Sequence, residues 1–264
     1  MFRKVVYFQG YNLGRECLNM DATQIDSSKY THIHFAFGLL TPKFEVKLPD
    51  ESTKFQFQRF KTLKVVKRIP AFGGWDFSAN LATYAIFRNA FTGTNRATTV
   101  KNIAKFINDH GLDGVDIDWE YPGTLDIPDL PPGGALESQD YLRDLSMLKD
   151  ELKDKSVSIA APVSFHYLKQ YPIQNMAKFL DYIVFMTYDL HGQWDYANKW
   201  TSPGCAQGNC LRSQVNMTDH GCSRKSRLPI LMSKLEIITF KVMLTTSRQW
   251  SPKQESRPTK LLWV

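Results

Sequence analysis

Long apolar segments are missing from this 264-residue sequence. No run approaches the roughly 18 consecutive apolar residues that a membrane-spanning helix needs. A signal-peptide core is missing as well, because Arg3 and Lys4 lead straight into a short strand-like stretch. We therefore expect no membrane partner, and the N-terminus carries no visible export signal.

A nucleotide site has no support, because no glycine-rich phosphate loop follows the first apolar run. The segment Gly10-Tyr11-Asn12-Leu13-Gly14 lacks the spacing of a dinucleotide-binding fingerprint. Excess positive charge is also missing from most of the chain. Residues 1–219 carry 24 Lys and Arg against 24 Asp and Glu, whereas residues 220–264 carry nine basic residues and two acidic ones. The net charge of +7 therefore gives no reason to expect nucleic-acid binding by the folded part.

Cysteine is scarce, with four residues at positions 17, 205, 210 and 222. Cys205 and Cys210 lie in a Gly/Pro-rich loop at a spacing that suits a short disulfide, which predicts an oxidising compartment. Asn216 begins a glycosylation sequon that has meaning only in a secreted chain. No second close pair of Cys or His stands at zinc-ligand spacing, so we expect neither a metal nor another cofactor.

Strand-like and helix-like segments alternate along the chain. Six short runs rich in β-branched and aromatic residues lie at 5–8, 32–37, 68–72, 114–119, 157–161 and 182–187. Two apolar stripes between them keep helical spacing, at Val100, Ile103, Phe106 and Ile107 and at Leu142, Leu145, Leu148 and Leu152. This alternation predicts a parallel sheet, and the length of the chain favours one (β/α)8 barrel over an open doubly wound sheet.

The stretch 113–122 is the most informative part of the sequence. Strand alternation places three acids on one face and three apolar residues on the other: Asp116, Asp118 and Glu120 opposite Val115, Ile117 and Trp119. We call the three acids the acid row; on a barrel strand they would point inward, toward the C-terminal mouth. Neighbours in the row are about 6.6 Å apart, so crowding and desolvation raise the outermost pKa, as a general acid near neutral pH requires.

Two other interpretations of these acids fit the sequence less well. A solvated acidic strand end does not explain the strict alternation with apolar residues. A calcium loop counted from Asp116 would place Tyr121 where glycine is needed and Ile127 where the closing glutamate is needed. Catalysis therefore remains the better explanation of the acid row.

The same strand resembles the Asp-x-x-Asp-x-Asp-x-Glu motif of family 18 chitinases, and Asp113, Asp116, Asp118 and Glu120 match its four acids. The resemblance covers residues 1 to about 219 and includes four further strand motifs: Val6-Tyr7-Phe8, His34-Phe35-Ala36-Phe37, Phe72-Gly73-Gly74-Trp75 and Met186-Thr187-Tyr188-Asp189. Segments 10–13, 189–194 and 208–212 are similar to the killer-toxin-like subgroup of fungal chitinases.

The resemblance implies endo-hydrolysis of chitin, a β-1,4-linked N-acetylglucosamine polymer, by a substrate-assisted retaining mechanism. In that mechanism Glu120 is the acid and base, Asp118 holds the acetamido group with support from Asp116, and Tyr188 binds the acetamido oxygen. It also implies an extracellular monomer. A glycosidase acting on protein glycans, a non-catalytic chitin-binding protein and an inactive truncated chitinase remain alternatives, although lectin-like relatives lack the acid that Glu120 provides.

Substrate contacts are implied for five further residues. Trp75 is expected to be a stacking platform and Asp189 to contact the distorted sugar. Tyr7 and Phe35 are equally compatible with lining the pocket and with core positions, and Met186 is equally compatible with a pocket wall and with packing. Loop residues Trp194 and Trp200 would extend the cleft or pack within their own loop.

One departure from the family concerns position 71, where Ala71 stands in place of a serine that would support Asp116. The loss of one hydrogen bond to a charged group costs about 1.5 to 3 kcal/mol. The sequence therefore predicts slower catalysis, which a serine at this position would speed up.

The second departure is residues 220–264, a basic tail that matches no family motif. Its 45 residues are too few for two further helix–strand units of roughly 30 residues each, and only 237–244 is typical of a strand. We therefore assign 1–219 to a catalytic barrel with strands one to six, and 220–264 to a divergent tail. A barrel that is incomplete after its sixth strand exposes backbone edges, which favours aggregation.

Limited proteolysis with thermal melting tests this division. Because the tail lacks a predicted core of its own, we expect rapid trimming after about residue 220 and no cooperative unfolding transition. A full-length chain that resists protease and melts cooperatively would contradict this prediction.

Overall fold

The computed structural model describes residues 2–124, 126–189, 191, 196–197, 207 and 210, together with the backbone of 237–239. Several expectations fall outside this range: the partner of Cys210 in a disulfide, the sequon at Asn216, Trp194, Trp200 and most of the tail. Within it, Cys210 is disulfide-bonded and Cys17 is free. The boundary between residues 219 and 220 stays a prediction.

Among the described residues, seven parallel strands form one sheet, in the order β1-β2-β4-β5-β6-β7-β8. Their bounds are β1 Val5–Gln9, β2 His32–Leu40, β4 Lys67–Gly73, β5 Gly114–Asp118, β6 Ser156–Pro162, β7 Tyr182–Met186 and β8 Ile237–Thr239. A short strand, β3 Val46–Lys47, pairs antiparallel with the end of β2. The predicted architecture, a (β/α)8 barrel that is incomplete, is confirmed, since the described residues supply seven of the eight strands that closure needs.

The six strand predictions are confirmed, with ends that differ by at most three residues. The predicted strand 237–244 is found as the shorter β8, which pairs with β7 from Ile183 to Phe185. The part of the chain that the structure describes contains seven helices between the strands: α1 Glu51–Phe60, α2 Trp75–Ala79, α3 Tyr84–Ala90, α4 Arg96–Asp109, α5 Glu137–Leu152, α6 Phe165–Leu168 and α7 Ile173–Met176. Single 3-10 turns lie at Asn12–Gly14, Ala22–Gln24 and Ser27–Lys29. No helix in the described part of the chain is long and apolar enough to cross a bilayer.

The main core lies between the sheet and the helices. Both predicted helical stripes face it, with Val100, Ile103 and Ile107 of α4 and Leu145 and Leu148 of α5 almost completely buried. Arg96 ties the two helices together, since it donates to Asp140 at 2.7 Å and also to the buried Asp144.

A second, smaller core fills the inside of the sheet. Its apolar members are Val5, Tyr7, Ala36, Ala71, Tyr182 and Val184. The buried polar residues of the sheet include His34 of β2, Asp116 of β5 and Ser158 of β6. Polar groups inside a barrel need hydrogen-bond partners, and here those partners are part of the candidate site.

Candidate active site

Two glycines bring the end of β4 directly against the carboxylate strand β5. Gly73 and Gly74 have φ of +111° and +82°, a region that favours glycine, and a Cβ on Gly73 would lie 2.2 Å from the carbonyl oxygen of Asp118. The Gly74 N–H donates to that same oxygen at 2.8 Å. This close approach brings Trp75, the first residue of α2, to the cleft with 48% of its surface exposed.

Strand β5 has the two faces that its alternation predicts. Val115, Ile117 and Trp119 are buried in the main core, which leaves the acids of the row on the opposite face. Two buried tyrosines fix the backbone from the helix side: the Tyr141 hydroxyl donates to the carbonyl of Ile117 at 3.2 Å, and the Tyr171 hydroxyl donates to that of Trp119 at 2.6 Å.

Asp116 is completely buried and is surrounded by donors. The Ser158 hydroxyl donates to Oδ1 at 2.6 Å, the Tyr7 hydroxyl donates to Oδ2, and His34 Nδ1 lies 3.4 Å from Oδ2. His34 is itself linked through Nε2 to the Tyr182 hydroxyl at 2.8 Å. Burial raises the pKa of Asp116, but His34, Ser158 and Tyr7 together outweigh it and leave the pKa below its ordinary value. Asp116 is therefore ionised.

Ser158 bears on the departure at position 71. In the register of the sheet Asp116 lies directly between Ala71 of β4 and Ser158 of β6. The hydroxyl that is missing on one side of Asp116 is thus present on the other side. This role of Ser158 was not predicted, although the alternation of Ser156 and Ser158 with Val157 and Ile159 gives a signal for an inward polar face.

The two outer acids have raised pKa values. Burial is the main cause of the high pKa of Asp118, and the charges of Glu120 and Asp116 raise it further. Burial also raises the pKa of Glu120 to about 7; the nearby Tyr121 hydroxyl opposes this rise, and the charge of Asp189 adds to it. Asp118 and Glu120 are hydrogen-bonded to each other, so the pair holds a shared proton near neutral pH.

These acids face a cleft of about 800 Å³, whose lining includes Asp118, Glu120 and Met186. Its aromatic lining consists of Tyr7, Tyr11, Phe37, Trp75, Phe77 and Tyr188. Of the residues singled out in the sequence, Tyr7, Trp75, Met186 and Tyr188 therefore line the cleft. Asp189 follows Tyr188 and is exposed, and Asp116 lies buried among its donors.

Phe35 does not line the cleft, contrary to one of the two possibilities considered for it. Its side chain is fully buried in the main core, with ring centroids 5.3 Å from Phe57 and 5.2 Å from Phe60. Alternation along β2 directs it toward the helices. The register of β2 against β4 then shifts between Ala36 and Gly38, and Phe37 lines the cleft instead.

Asp113, the first acid of the motif, has a different position from the acid row. It precedes β5 and accepts hydrogen bonds from the backbone N–H and the Nε of Arg68, both at 2.9 Å. This pairing fixes the start of β4 next to the start of β5. No group of three His, Cys, Asp or Glu side chains in the described segments is arranged to hold a metal ion.

Comparisons with known proteins agree with this architecture. A profile of the family described as "Glycosyl hydrolases family 18" matches residues 3–232. "Secreted chitinase LysM12" of Penicillium expansum is 53% identical over 218 residues, which are 83% of this chain and 14% of that protein. "Killer toxin subunits alpha/beta" of Kluyveromyces lactis is 41% identical over 197 residues, which are 74% of this chain and 17% of that protein.

Among solved structures, catalytic domain 2 of the Group II chitinase of Ostrinia furnacalis superimposes with a TM-score of 0.70. It is 22% identical and covers 91% of this chain and 63% of that one, so the likeness concerns the fold alone. The chain spans about one-seventh of the length of the Penicillium relative. The predicted similarity to killer-toxin-like fungal proteins is confirmed, and the chain belongs to glycosyl hydrolases family 18.

Proposed function

We propose that this chain hydrolyses chitin internally by a substrate-assisted retaining mechanism. The observation that carries the proposal is the acid row itself. Glu120, with a pKa of about 7, and Asp118, with a strongly raised pKa, line an aromatic cleft above the ionised Asp116. A carboxyl group with a pKa near neutrality can both donate and accept a proton at the same pH.

In the first step Glu120 donates its proton to the glycosidic oxygen, and the bond from that oxygen to the anomeric carbon breaks. The carbonyl oxygen of the sugar's own N-acetyl group attacks the anomeric carbon, so that a cyclic oxazolinium ion forms. The nucleophile thus comes from the substrate, as in the glycosidases that depart from the scheme with two enzyme carboxylates.

Asp118 is suited to hold the acetamido N–H during this attack. Its Oδ1 is buried and has no hydrogen-bond partner among the described residues, which leaves an acceptor available in the cleft. Transfer of the shared proton from Asp118 to Glu120 would leave Asp118 ionised, and its carboxylate would then stabilise the positive oxazolinium. The hydroxyl of Tyr188, which also lines the cleft, would donate to the acetamido oxygen.

In the second step Glu120, now a carboxylate, removes a proton from the attacking water, which opens the oxazolinium ring at the anomeric carbon. Two inversions at this carbon give net retention. Asp116 contributes as a fixed negative charge beneath Asp118, and Tyr7 contributes through its hydrogen bond to Asp116.

Binding would come mainly from stacking, because sugar rings present apolar faces to aromatic side chains. Trp75 is the exposed platform of the cleft and Met186 is part of its wall. Asp189 is suited to contact the distorted sugar next to Tyr188. A non-catalytic chitin-binding protein is the second candidate function, because the aromatic lining alone would support binding.

We further infer that the chain works outside the cell as a monomer without a cofactor. The disulfide of Cys210 fits an oxidising compartment. The name of the Penicillium relative, a secreted chitinase, is consistent with this location.

Replacement of the acid tests the enzyme against the binding protein. We expect Glu120→Gln to lower the cleavage rate of a chito-oligosaccharide about 10²- to 10⁴-fold, because the amide has no proton to donate. The dissociation constant measured by calorimetry should stay nearly unchanged. Glu151→Gln, at an exposed position of α5, is the matched control. An equal loss of binding and rate, or a wild-type chain that binds without cleaving, would contradict the assignment.

The role of the N-acetyl group predicts substrate selectivity. Partly deacetylated oligosaccharides should be cut only where an N-acetylated unit lies on the glycone side of the broken bond, because a free amine offers no carbonyl oxygen. Mass spectrometry of the fragments and NMR of the newly formed anomer measure this. Cleavage after a glucosamine unit, or initial release of the α-anomer, would rule out the mechanism.

A serine hydroxyl on either of the two neighbouring strands should be able to support Asp116. We expect Ser158→Ala to lower kcat by about tenfold or more, since a hydrogen bond to a charged group is worth about 1.5 to 3 kcal/mol. Adding Ala71→Ser to this variant should recover most of the lost kcat. Ala71→Ser alone should change kcat less than it does in the Ser158→Ala variant, because Ser158 already donates a hydrogen bond to Asp116 in the wild type. A double variant no faster than Ser158→Ala would show that the two positions are not equivalent.

A further inference from the structure

One carboxylate outside the acid row connects three loops at the mouth of the cleft. Asp126 lies in the segment between β5 and α5, which we call the rim loop (122–124 and 126–136). It accepts a hydrogen bond from the indole Nε1 of Trp75 and another from the hydroxyl of Tyr167 in α6. Trp75 follows β4 and Tyr167 follows β6, so the contacts of Asp126 join the loops after three adjacent strands.

The contacts continue from Asp126 to the acid. The ring of Tyr167 stacks on that of Tyr121, with centroids 3.9 Å apart and an interplanar angle of 19°. The Tyr121 hydroxyl is close enough to the neighbouring carboxylate of Glu120 to lower its pKa. The stacking platform and the general acid of the proposed mechanism are thus joined through Asp126 and two tyrosines.

The rim loop does not depend on Asp126 to keep its place. The carboxylate of Glu137 accepts from the N–H of Gly123 at 2.6 Å and from that of Gly134 at 2.8 Å. Arg88 donates to the carbonyl of Pro131 at 2.8 Å. The loop is held near both ends by these bonds, so the carboxylate of Asp126 is presented by a supported backbone.

We propose that Asp126 is a positioning residue of this active site. It fixes the plane of Trp75 and the Tyr121–Tyr167 pair relative to Glu120, and it keeps a negative charge facing the acid. This inference rests on the proposed function, since it assigns to Asp126 the alignment of the bound sugar with the proton donor. Such alignment matters because small errors in the position of reacting groups cost large factors in rate.

The charge of Asp126 acts among a defined set of neighbours. The titratable groups that face Glu120 are Asp118 on β5, Tyr121 and Asp126 from the segment after it, Tyr167 and Tyr171 from the α6 region, and Tyr188 and Asp189 after β7. Asp126 and Asp189 both act to raise the pKa of Glu120. Removal of either charge should therefore lower that pKa, so that Glu120 loses its proton at a lower pH.

The hydrogen bond from the Trp75 indole to Asp126, which we call the tether, is tested first without substrate. In ¹⁵N-labelled full-length protein, the indole N–H signal of Trp75 is identified by its loss in Trp75→Phe. We expect this signal to move and to exchange faster with water in Asp126→Ala, and to move less in the nearly isosteric Asp126→Asn. Asp129→Ala removes an exposed acid from the same loop and should leave the signal unchanged. A Trp75 signal identical in wild type and both Asp126 variants overturns the tether.

The catalytic consequence is tested by the pH dependence of kcat/KM on a chito-oligosaccharide. In Asp126→Asn the alkaline limb of this pH profile should move about half a pH unit to lower pH, because the loss of one negative charge near Glu120 lowers the pKa of that acid. In Asp126→Glu, which keeps the charge but changes the geometry, the limb should stay in place while KM rises about fivefold. Asp129→Asn is the control and should match the wild type in both quantities.

The outcomes separate the two proposals. An unmoved alkaline limb in Asp126→Asn overturns the charge role, because a purely structural loss would lower the rate without shifting its pH dependence. A wild-type chain that cleaves nothing would refute the proposed function, whereas the Trp75 signal would still decide whether Asp126 holds the platform.

Discussion

A carboxylate that is removed from water is stable in its charged form only where donors replace the lost hydration, and this constraint governs the inside of the sheet. Asp116 meets it with hydroxyl donors from two other strands, Tyr7 of β1 and Ser158 of β6, and with His34 of β2, whose Nδ1 lies 3.4 Å from Oδ2. Burial is the main reason that the next acid outward, Asp118, resists ionisation, and the charges of Glu120 and of the ionised Asp116 add to it. The unequal acidity along the row follows from this arrangement.

Strand β5 is part of both the sheet and the candidate active site. Strand β5 is clamped from the helix side by two tyrosine hydroxyls and from the neighbouring strand by the N–H of Gly74. Because Gly73 has no Cβ, β4 can approach the carbonyl oxygen of Asp118 closely enough for the Gly74 N–H to donate to it. The position of Trp75 relative to the acid row is therefore a consequence of strand packing.

The outer end of the row is surrounded by negative charge and phenols. Burial raises the pKa of Glu120, and the charges of Asp189 and Asp126 add to this effect. Asp126 also holds aromatic side chains at the mouth of the cleft, because it accepts hydrogen bonds from Trp75 and from Tyr167. A single carboxylate at the mouth thus contributes both to the electrostatics of the acid and to the shape of the cleft.

Much of this architecture is a local property of the chain. The alternation at 113–120 was sufficient to predict an inward row of acids, and the helical stripes at 100–107 and 142–152 were sufficient to predict helices packed on a parallel sheet, because both periodicities arise within a few residues. Contacts between residues on different strands do not follow from such local patterns. The contact of Asp116 with Tyr7 spans 109 residues and depends on strand order and register, which no local pattern contains. The inward Phe37 depends on a shift of register in β2, and the role of Asp126 depends on the meeting of three loops. The sequence by itself determined the acids and the class of fold, whereas only the tertiary structure decided which side chains support them, since those contacts form between segments that are distant along the chain.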